Sequence, residues 1–276
     1  MAPDTDAPAL PAEWAVIRLV PLAEGIGGKV WRAEREDGSP AIMKSPSEAA
    51  RPDARRAADY LRWRDGHGAI RLLDTDSDTH LLEYAGGTRL LDHRSKHGEA
   101  AASEIAADVV RRLHAPSPAA PPSTLTPLRE YFASLFARSS EVEFAEYAAF
   151  ADRLLDAQHN VRPLHGDIHH ENILASWRGW LAIDPKGLIG DPAYDVANMF
   201  HNPPHAPERT HPARIIAFAE TLSVAVSRDV EAVLSYAWAY SGLSAAWWLE
   251  DDNVEAAQST LEIGRAVKSA LDQVRS

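Results

Sequence analysis

Up to Gly87 the chain is written in short apolar runs divided by turn residues, and beyond Gly87 in helical periods. That switch constrains the fold more than any single residue, because periods of two and of 3.6 bury different faces. "WAVIRLV" (14–20) and "KVWRAERE" (29–36), rich in β-branched and aromatic residues, read as strands around the glycine turn "GIGG" (25–28). Asp37 and Gly38 signal a hairpin, and "AIMK" a short strand ending at Lys44. Residues 52–64 read as a helix with Pro52 near its start and Ala57, Tyr60, Leu61 and Arg64 on one face. "GAIRLLD" and "THLLEYA" read as two more strands around "TDSD". Beyond them, "EAAASEIAADVVRRLHA" is a helix that ends in the proline-rich breaker 116–127, and helices fill 128–157 and 207–271. Between the two helical blocks, "NILA" and "WLAID" form a hairpin turned at "SWRG". The expected architecture is α+β and bilobal. A β-rich lobe with one helix covers 1–85, a hinge lies near Glu83 to Gly87, and a larger helical lobe covers 86–276.

The net charge of −12, from 28 basic and 40 acidic residues, argues against nucleic acid as a partner, since phosphate binding needs a cationic footprint. It is compatible with a cationic ligand, and equally with a well-solvated acidic surface. No apolar stretch approaches the length of a membrane span. The N-terminal stretch "MAPDTDAPALPAEW" has neither the basic nor the apolar region of a signal peptide, so the cytoplasm is the expected compartment. Cysteine is absent, which excludes disulfides and thiolate metal sites.

The chemistry concentrates in "LHGDIHHENIL" (164–174) and "AIDPKG" (182–187). His165, Asp167, His169 and His170 are close enough in sequence to suggest a metal site, but Pro163 and Gly166 disfavour a helical presentation of the histidines. No second ligand cluster appears elsewhere in the sequence. A serine or cysteine hydrolase would need a thiol or a Gly-x-Ser-x-Gly elbow, and neither is present. Phosphoryl transfer needs a carboxylate that orients the attacking hydroxyl, oxygen ligands for a divalent ion, and a lysine for the phosphates. Asp167 and Asn172 have the D-x-x-x-x-N spacing of a kinase catalytic loop, and Asp184 ends the following strand twelve residues later. Lys44 ends the strand after the glycine hairpin, where the phosphate lysine belongs. Each feature alone is weak. Four in order, separated by the right elements, point to a kinase.

At these residues the chain resembles the aminoglycoside phosphotransferase branch of the protein-kinase-like fold, in particular the streptomycin 6-kinase and hydroxyurea phosphotransferase family. The matching stretches are "AADYLRWRDGHGAIRLL", "LLEYAGG", "LHGDIHHENIL", "GWLAIDPKGLIGDPAYDVANMF" and "AYSGLSAAW", spread over 57–247. The resemblance implies Asp167 as catalytic base, Asn172 and Asp184 as Mg²⁺ ligands with "DPK" in place of "DFG", and ATP or GTP as phosphoryl donor. Lys44 would contact the nucleotide phosphates, Gly27 and Gly28 would lie over them, and the backbone from Glu83 to Ala85 would meet the base. "GIGGKV" departs from the full kinase glycine loop. The helix partner of Lys44 would be Asp59, with Glu48 as the other candidate. His165 and Asp195 would hold the catalytic loop from beneath.

The implied acceptor is a cationic aminoglycoside bound between the catalytic loop and the C-terminal helices. "AAWWLEDDN" offers Trp247, Trp248, Glu250, Asp251 and Asp252, whose aromatic faces and acids suit guanidinium or ammonium groups, and His169 would add a contact. Both tryptophans could equally be core and the acids an exposed helix end. Other readings are hydroxyurea or another small metabolite as acceptor, or a nucleotide-binding pseudokinase scaffold, against which the intact Lys44, Asp167, Asn172 and Asp184 set counts. A monomer or weak dimer is expected.

Overall fold

The computed structural model describes residues 10–204 and 206–276. Residues 1–9, part of the stretch read above as no signal peptide, lie outside the described residues.

β1 (Val16–Gly25), β2 (Gly28–Arg35) and β3 (Pro40–Pro46) are followed by α1 (Arg51–Arg64), then β4 (Leu72–Asp76) and β5 (Thr79–Glu83). The five strands form one antiparallel sheet in the order β1-β2-β3-β5-β4. Strand alternation divides its two faces. Ala41 and Met43 of β3 join Trp14, Trp31, Ala33 and Leu81 in a small core of their own. Ile42 and Lys44, the intervening residues, pair with Leu82 and His80 of β5 and turn toward the cleft. The β1–β2 turn is pressed onto the end of β3. Gly28 has φ +123°, and a Cβ there would come within 2.2 Å of the Ser45 carbonyl oxygen, so only glycine fits.

After the hinge come α2 (Leu90–His97), α3 (Glu99–Leu113), the two-residue strand β6 (Thr126–Pro127), and helices α4 (Leu128–Tyr131), α5 (Ala133–Ala137) and α6 (Val142–Asp156). Four short strands follow: β7 (Arg162–Leu164), β8 (Ile173–Ser176), β9 (Gly179–Ala182) and β10 (Leu188–Gly190). A 3₁₀ helix, Pro192–His201, leads to α7 (Pro212–Val226), α8 (Val230–Glu250) and α9 (Val254–Arg275). The β8–β9 hairpin was legible in the sequence; the small sheet β6-β10-β7 that frames the catalytic loop was not, since its strands have two or three residues.

The main core fills the helical lobe, but Tyr60 and Leu61 of α1 and Leu82 and Ala85 near the hinge belong to it too. The cleft face of the small lobe is therefore packed directly onto the large one. Across the hinge, Arg178 in the β8–β9 turn grips the Glu83 carboxylate at 2.9 and 2.5 Å and also donates to the Gly66 carbonyl. Burial alone would push the Glu83 carboxyl up, but Arg178 outweighs it and holds the group below its ordinary value. This pair fixes where β8, and hence the catalytic loop before it, meets the small lobe.

Candidate active site

The catalytic loop runs from β7 to β8, and the β8–β9 hairpin brings both of its ends together. Ile183 N–H donates to the Asn172 carbonyl at 2.9 Å, which places Asp184 beside Asn172 although twelve residues separate them. Asp184 adopts φ +61°, a left-handed conformation that aspartate tolerates better than most L-residues. Its half-exposed carboxylate receives the Lys44 ammonium directly. Burial of the group would raise its pKa; Lys44, with Lys186 and His165, reverses this and holds it below the usual carboxylate range.

The expected partner of Lys44 on α1 is absent. Asp59 accepts instead from Arg62 at 2.7 Å and from the Thr124 hydroxyl at 2.8 Å, and Glu48 is exposed ahead of the helix. Helical geometry explains the difference. Ala54, Ala57, Ala58 and Leu61 form the face of α1 beside Lys44, and Asp59, one position past Ala58, is turned about 100° away. The lysine thus meets small apolar side chains on α1 and a carboxylate on the opposite lobe.

Asp167 is held from three sides. Asn172 Nδ2 donates to its carbonyl at 3.0 Å and to Oδ2 at 3.3 Å, while Asn198 Nδ2 donates to Oδ1 at 2.8 Å. Lys186 Nζ stands 3.7 Å from Oδ2, and His169 Nε2 is 3.9 Å from Oδ1. His169 Nδ1 accepts from the Glu171 N–H, so the hydrogen of the neutral ring sits on Nε2, facing Asp167.

Beneath the loop, Asp195 is fully buried and accepts from the N–H groups of His165 and Gly166 at 3.1 and 2.6 Å and from His114 Nε2 at 2.8 Å. Its burial favours the neutral acid, and the His114 and Gly166 contacts, with His165, win over it, so the carboxyl lies below its ordinary range. His165 Nε2 is 2.9 Å from the Ile183 carbonyl, which can only accept, and Nδ1 accepts from Asp167 N–H. Both bonds require the neutral Nε2–H tautomer, consistent with burial lowering the His165 pKa. This ring ties Asp167 to the segment after β9 that carries Asp184.

Asn198 was not singled out from the sequence. It lies three residues after Asp195 on the 3₁₀ helix, where side chains three apart eclipse, so both point at the loop. Asn202 Nδ2 donates to Asn198 Oδ1 at 2.9 Å, which leaves the Asn198 amide N–H₂ for Asp167. The signal lay within "DVANMF", but it needs the 3₁₀ period to be seen.

On the other side of Asp167 a cavity of about 410 Å³ opens. Tyr131, Tyr240 and Trp247 form an aromatic wall, with Trp247 5.2 Å from Tyr131 and 6.1 Å from Tyr240 between ring centroids. Asp53 and Arg56 of α1, paired with each other, and Lys186 complete it. Burial pushes the phenol pKa values of Tyr131 and Tyr240 up, so both remain hydroxyl donors. Of the expected acceptor residues, Trp247 lines this cavity; Trp248, Glu250, Asp251 and His169 do not. Tyr240 and Trp247 are seven residues apart and share a face of α8, whereas Trp248 turns off it and is 40% exposed. Glu250, Asp251 and Asp252 are exposed where the helix ends. A second cleft, about 440 Å³, lies beside the hinge among Pro40, Leu73, Tyr84 and Trp177, away from Lys44, Asp167 and Asp184.

Among the described residues no group of three or more histidine or acidic side chains is arranged to hold a metal ion. Asn172 and Asp184 offer two hard oxygen donors side by side, a set that suits Mg²⁺ completing its shell with water and phosphate oxygens. Among the described residues no helix is long and apolar enough to cross a membrane.

The sequence profile of the family described as "Aminoglycoside/hydroxyurea antibiotic resistance kinase" matches residues 13–252. A streptomycin 3''-kinase of Klebsiella pneumoniae is 39% identical over 224 residues, 79% of this chain and 83% of that protein. A streptomycin 6-kinase of Streptomyces griseus is 30% identical over 269 residues, 92% of this chain and 85% of its own. Among solved structures, a thermostable mutant of aminoglycoside phosphotransferase APH(4)-Ia superposes with a TM-score of 0.66 at 18% identity, covering 92% of this chain and 95% of that one. A choline/ethanolamine kinase family protein from Mesorhizobium loti gives 0.65 at 16% identity, covering 95% and 96%. These two share the protein-kinase-like fold. With nearly its whole length matched, the chain belongs to the aminoglycoside/hydroxyurea antibiotic resistance kinase family.

Proposed function

We propose that the protein transfers the γ-phosphoryl group of ATP to a hydroxyl of streptomycin or a closely related aminoglycoside, and thereby confers resistance. The observation that carries this is the position of Asp167. Its carboxylate stands between the Asn172 and Asp184 pair on one side and an aromatic cavity on the other. A base for phosphoryl transfer has to face donor and acceptor at once.

In this reading the adenine lies against Ile42, Leu174 and Ile183, partly buried apolar side chains at the lobe interface, near the backbone of Glu83 to Ala85. Gly27 and Gly28 hold the β1–β2 turn low over the phosphates. Lys44 leaves Asp184 for a phosphate oxygen, which frees the carboxylate for Mg²⁺. Bound by Asn172 and Asp184, Mg²⁺ would neutralise charge on the phosphates. The acceptor hydroxyl gives its proton to Asp167 as its oxygen bonds to phosphorus and the bond to ADP breaks. His165 and Asp195 keep the loop in place, and His169 Nε2 faces the base.

A guanidinium suits the cavity because aromatic faces attract cations and Asp53 supplies a carboxylate at the rim. The higher identity to a 3''-kinase than to a 6-kinase supports the 3'' hydroxyl over the 6 hydroxyl as target. The test is a panel of streptomycin, other aminoglycosides and hydroxyurea with Mg-ATP, with products identified by phosphorus–proton correlation NMR. A streptomycin phosphomonoester is expected, and the proton correlated with phosphorus assigns the position. Phosphorylated hydroxyurea as the only product would replace the acceptor; ATP binding with no product from any compound would favour a scaffold.

A further inference from the structure

"DPK" stands where protein kinases carry "DFG", and Lys186 has no part in the chemistry described so far. Its main chain is fixed. Lys186 N–H donates to the His165 carbonyl at 2.7 Å, Pro185 precedes it, and Gly187 follows at φ +69°. A Cβ on Gly187 would come within 2.9 Å of the Arg56 carbonyl oxygen, so this segment sits wedged against α1. The side chain is 41% exposed and lines the acceptor cavity. Its ammonium is 3.7 Å from Asp167 Oδ2, an ion-pair distance too long for a hydrogen bond, so this contact commits none of its three donors. The two lysines therefore bracket the two carboxylates, Lys44 on Asp184 and Lys186 on Asp167.

We propose that Lys186 is a catalytic residue that donates to the non-bridging oxygens of the phosphoryl group in transit, from the acceptor side. This rests on the phosphotransferase reading above. Asp167 must come within about 3 Å of the acceptor hydroxyl, whose oxygen must approach phosphorus to about 3–3.5 Å. An ammonium already 3.7 Å from Asp167 is thereby in range of the group being transferred. As the oxygen–phosphorus bond to the acceptor forms and the bond to ADP breaks, the hydroxyl proton goes to Asp167. Lys186 keeps its protons throughout and supplies only positive charge. Lys44, which pairs with Asp184 from the small lobe, is assigned in the same reading to a phosphate oxygen on the donor side.

The chain contains no cysteine, so Lys186→Cys introduces a single thiol that can be alkylated selectively. We expect kcat for streptomycin to fall by roughly 10²–10³-fold, the cost of one lost transition-state donor, while both KM values stay within about threefold. Treatment with 2-bromoethylamine, which rebuilds a lysine-length ammonium on the sulfur, should restore most of the activity. Iodoacetamide, which adds a neutral group, should not. Both arms use one protein preparation, so a folding defect is common to them, and wild type treated in parallel controls for other alkylation.

Any of four results would overturn the proposal: a kcat close to wild type, equal rescue by the neutral reagent, no rescue by the amine, or a loss confined to the streptomycin KM. Recovery of the untreated variant at high pH would also overturn it, since Lys186 would then only keep Asp167 ionised. If wild type does not phosphorylate streptomycin, the acceptor reading fails separately. Lys186 is then judged on acceptor-independent ATP hydrolysis, where water takes the acceptor's place and the same loss and selective rescue are required.

Discussion

Asp167 is oriented by amides as much as by charge, and the Asn198 contact is the one with a measurable consequence of its own. A hydrogen bond to a charged group contributes about 1.5–3 kcal/mol, so Asn198→Ala should lower kcat by roughly ten- to a hundredfold with KM values little changed. Steady-state kinetics checks this, and a change confined to KM would show that Asn198 does not serve the base. Lys44→Ala should instead act on the donor side, raising the nucleotide KM by a similar factor. Unchanged nucleotide kinetics would mean the phosphate lysine lies elsewhere. The grouping of Lys44, Asp167, Asn172 and Asp184 was legible in the sequence, from the order and spacing that a phosphoryl-transfer site requires, and the roles given to them are those of the proposal above. Asn198 and Lys186 were not legible, because each reaches the base through a fold contact between segments that no linear pattern records. Asp59 was misassigned as the partner of Lys44 because a helix position was chosen without knowing which face α1 turns inward.

At the scale of elements, strands and long helices followed from alternation and period, as β2, β3, α1 and α3 show. Short pieces did not, since β6, β7 and β10 are too brief to carry a pattern, and they are what frame the catalytic loop. The loop is also tied to the helices by Glu99 at the start of α3. It accepts from Arg214 at 3.0 Å and pairs with Arg94, and its other oxygen is 3.3 Å from His170 Nε2. Burial would raise its pKa, but His170 and Arg214 lower it from 4.5 to about 2. A depressed folded-state pKa means stability that is present above the unfolded value and lost as pH falls toward the folded one. At about 1.4 kcal/mol per pH unit, that interval corresponds to about 3 kcal/mol. Glu99→Gln should therefore destabilise the protein by up to about this amount at pH 7, and the gap should shrink to less than roughly half by pH 3. Denaturant melts of both proteins at pH 7, 5 and 3 test it; a gap independent of pH would remove the ion network as the cause.

At the scale of the molecule, the cavity proposed for the acceptor spans the lobe boundary, with Asp53 from the small lobe and Tyr240 and Trp247 from the large one in its lining. A cationic acceptor should also feel the net charge of −12 before it arrives. The screening length falls from about 10 Å at 0.1 M salt to about 3 Å at 1 M. Over that range kcat/KM for streptomycin should drop while kcat changes little, and hydroxyurea, which is neutral, should show no such slope. A flat streptomycin profile would rule out electrostatic capture. The bilobal plan was legible in the change of pattern at Gly87, but the cavity was not, since it is assembled from α1, α4, the catalytic loop and α8 at once.

The account turns on Asp167 as the group that faces donor and acceptor together. The most direct measurement is kcat for streptomycin phosphorylation by Asp167→Asn beside its affinity for Mg-ATP. The side chains are the same size and differ in the capacity to take a proton. The account predicts a kcat lower by roughly 10²–10⁴-fold with nucleotide affinity preserved. A variant that turns over within a fewfold of wild type would contradict it.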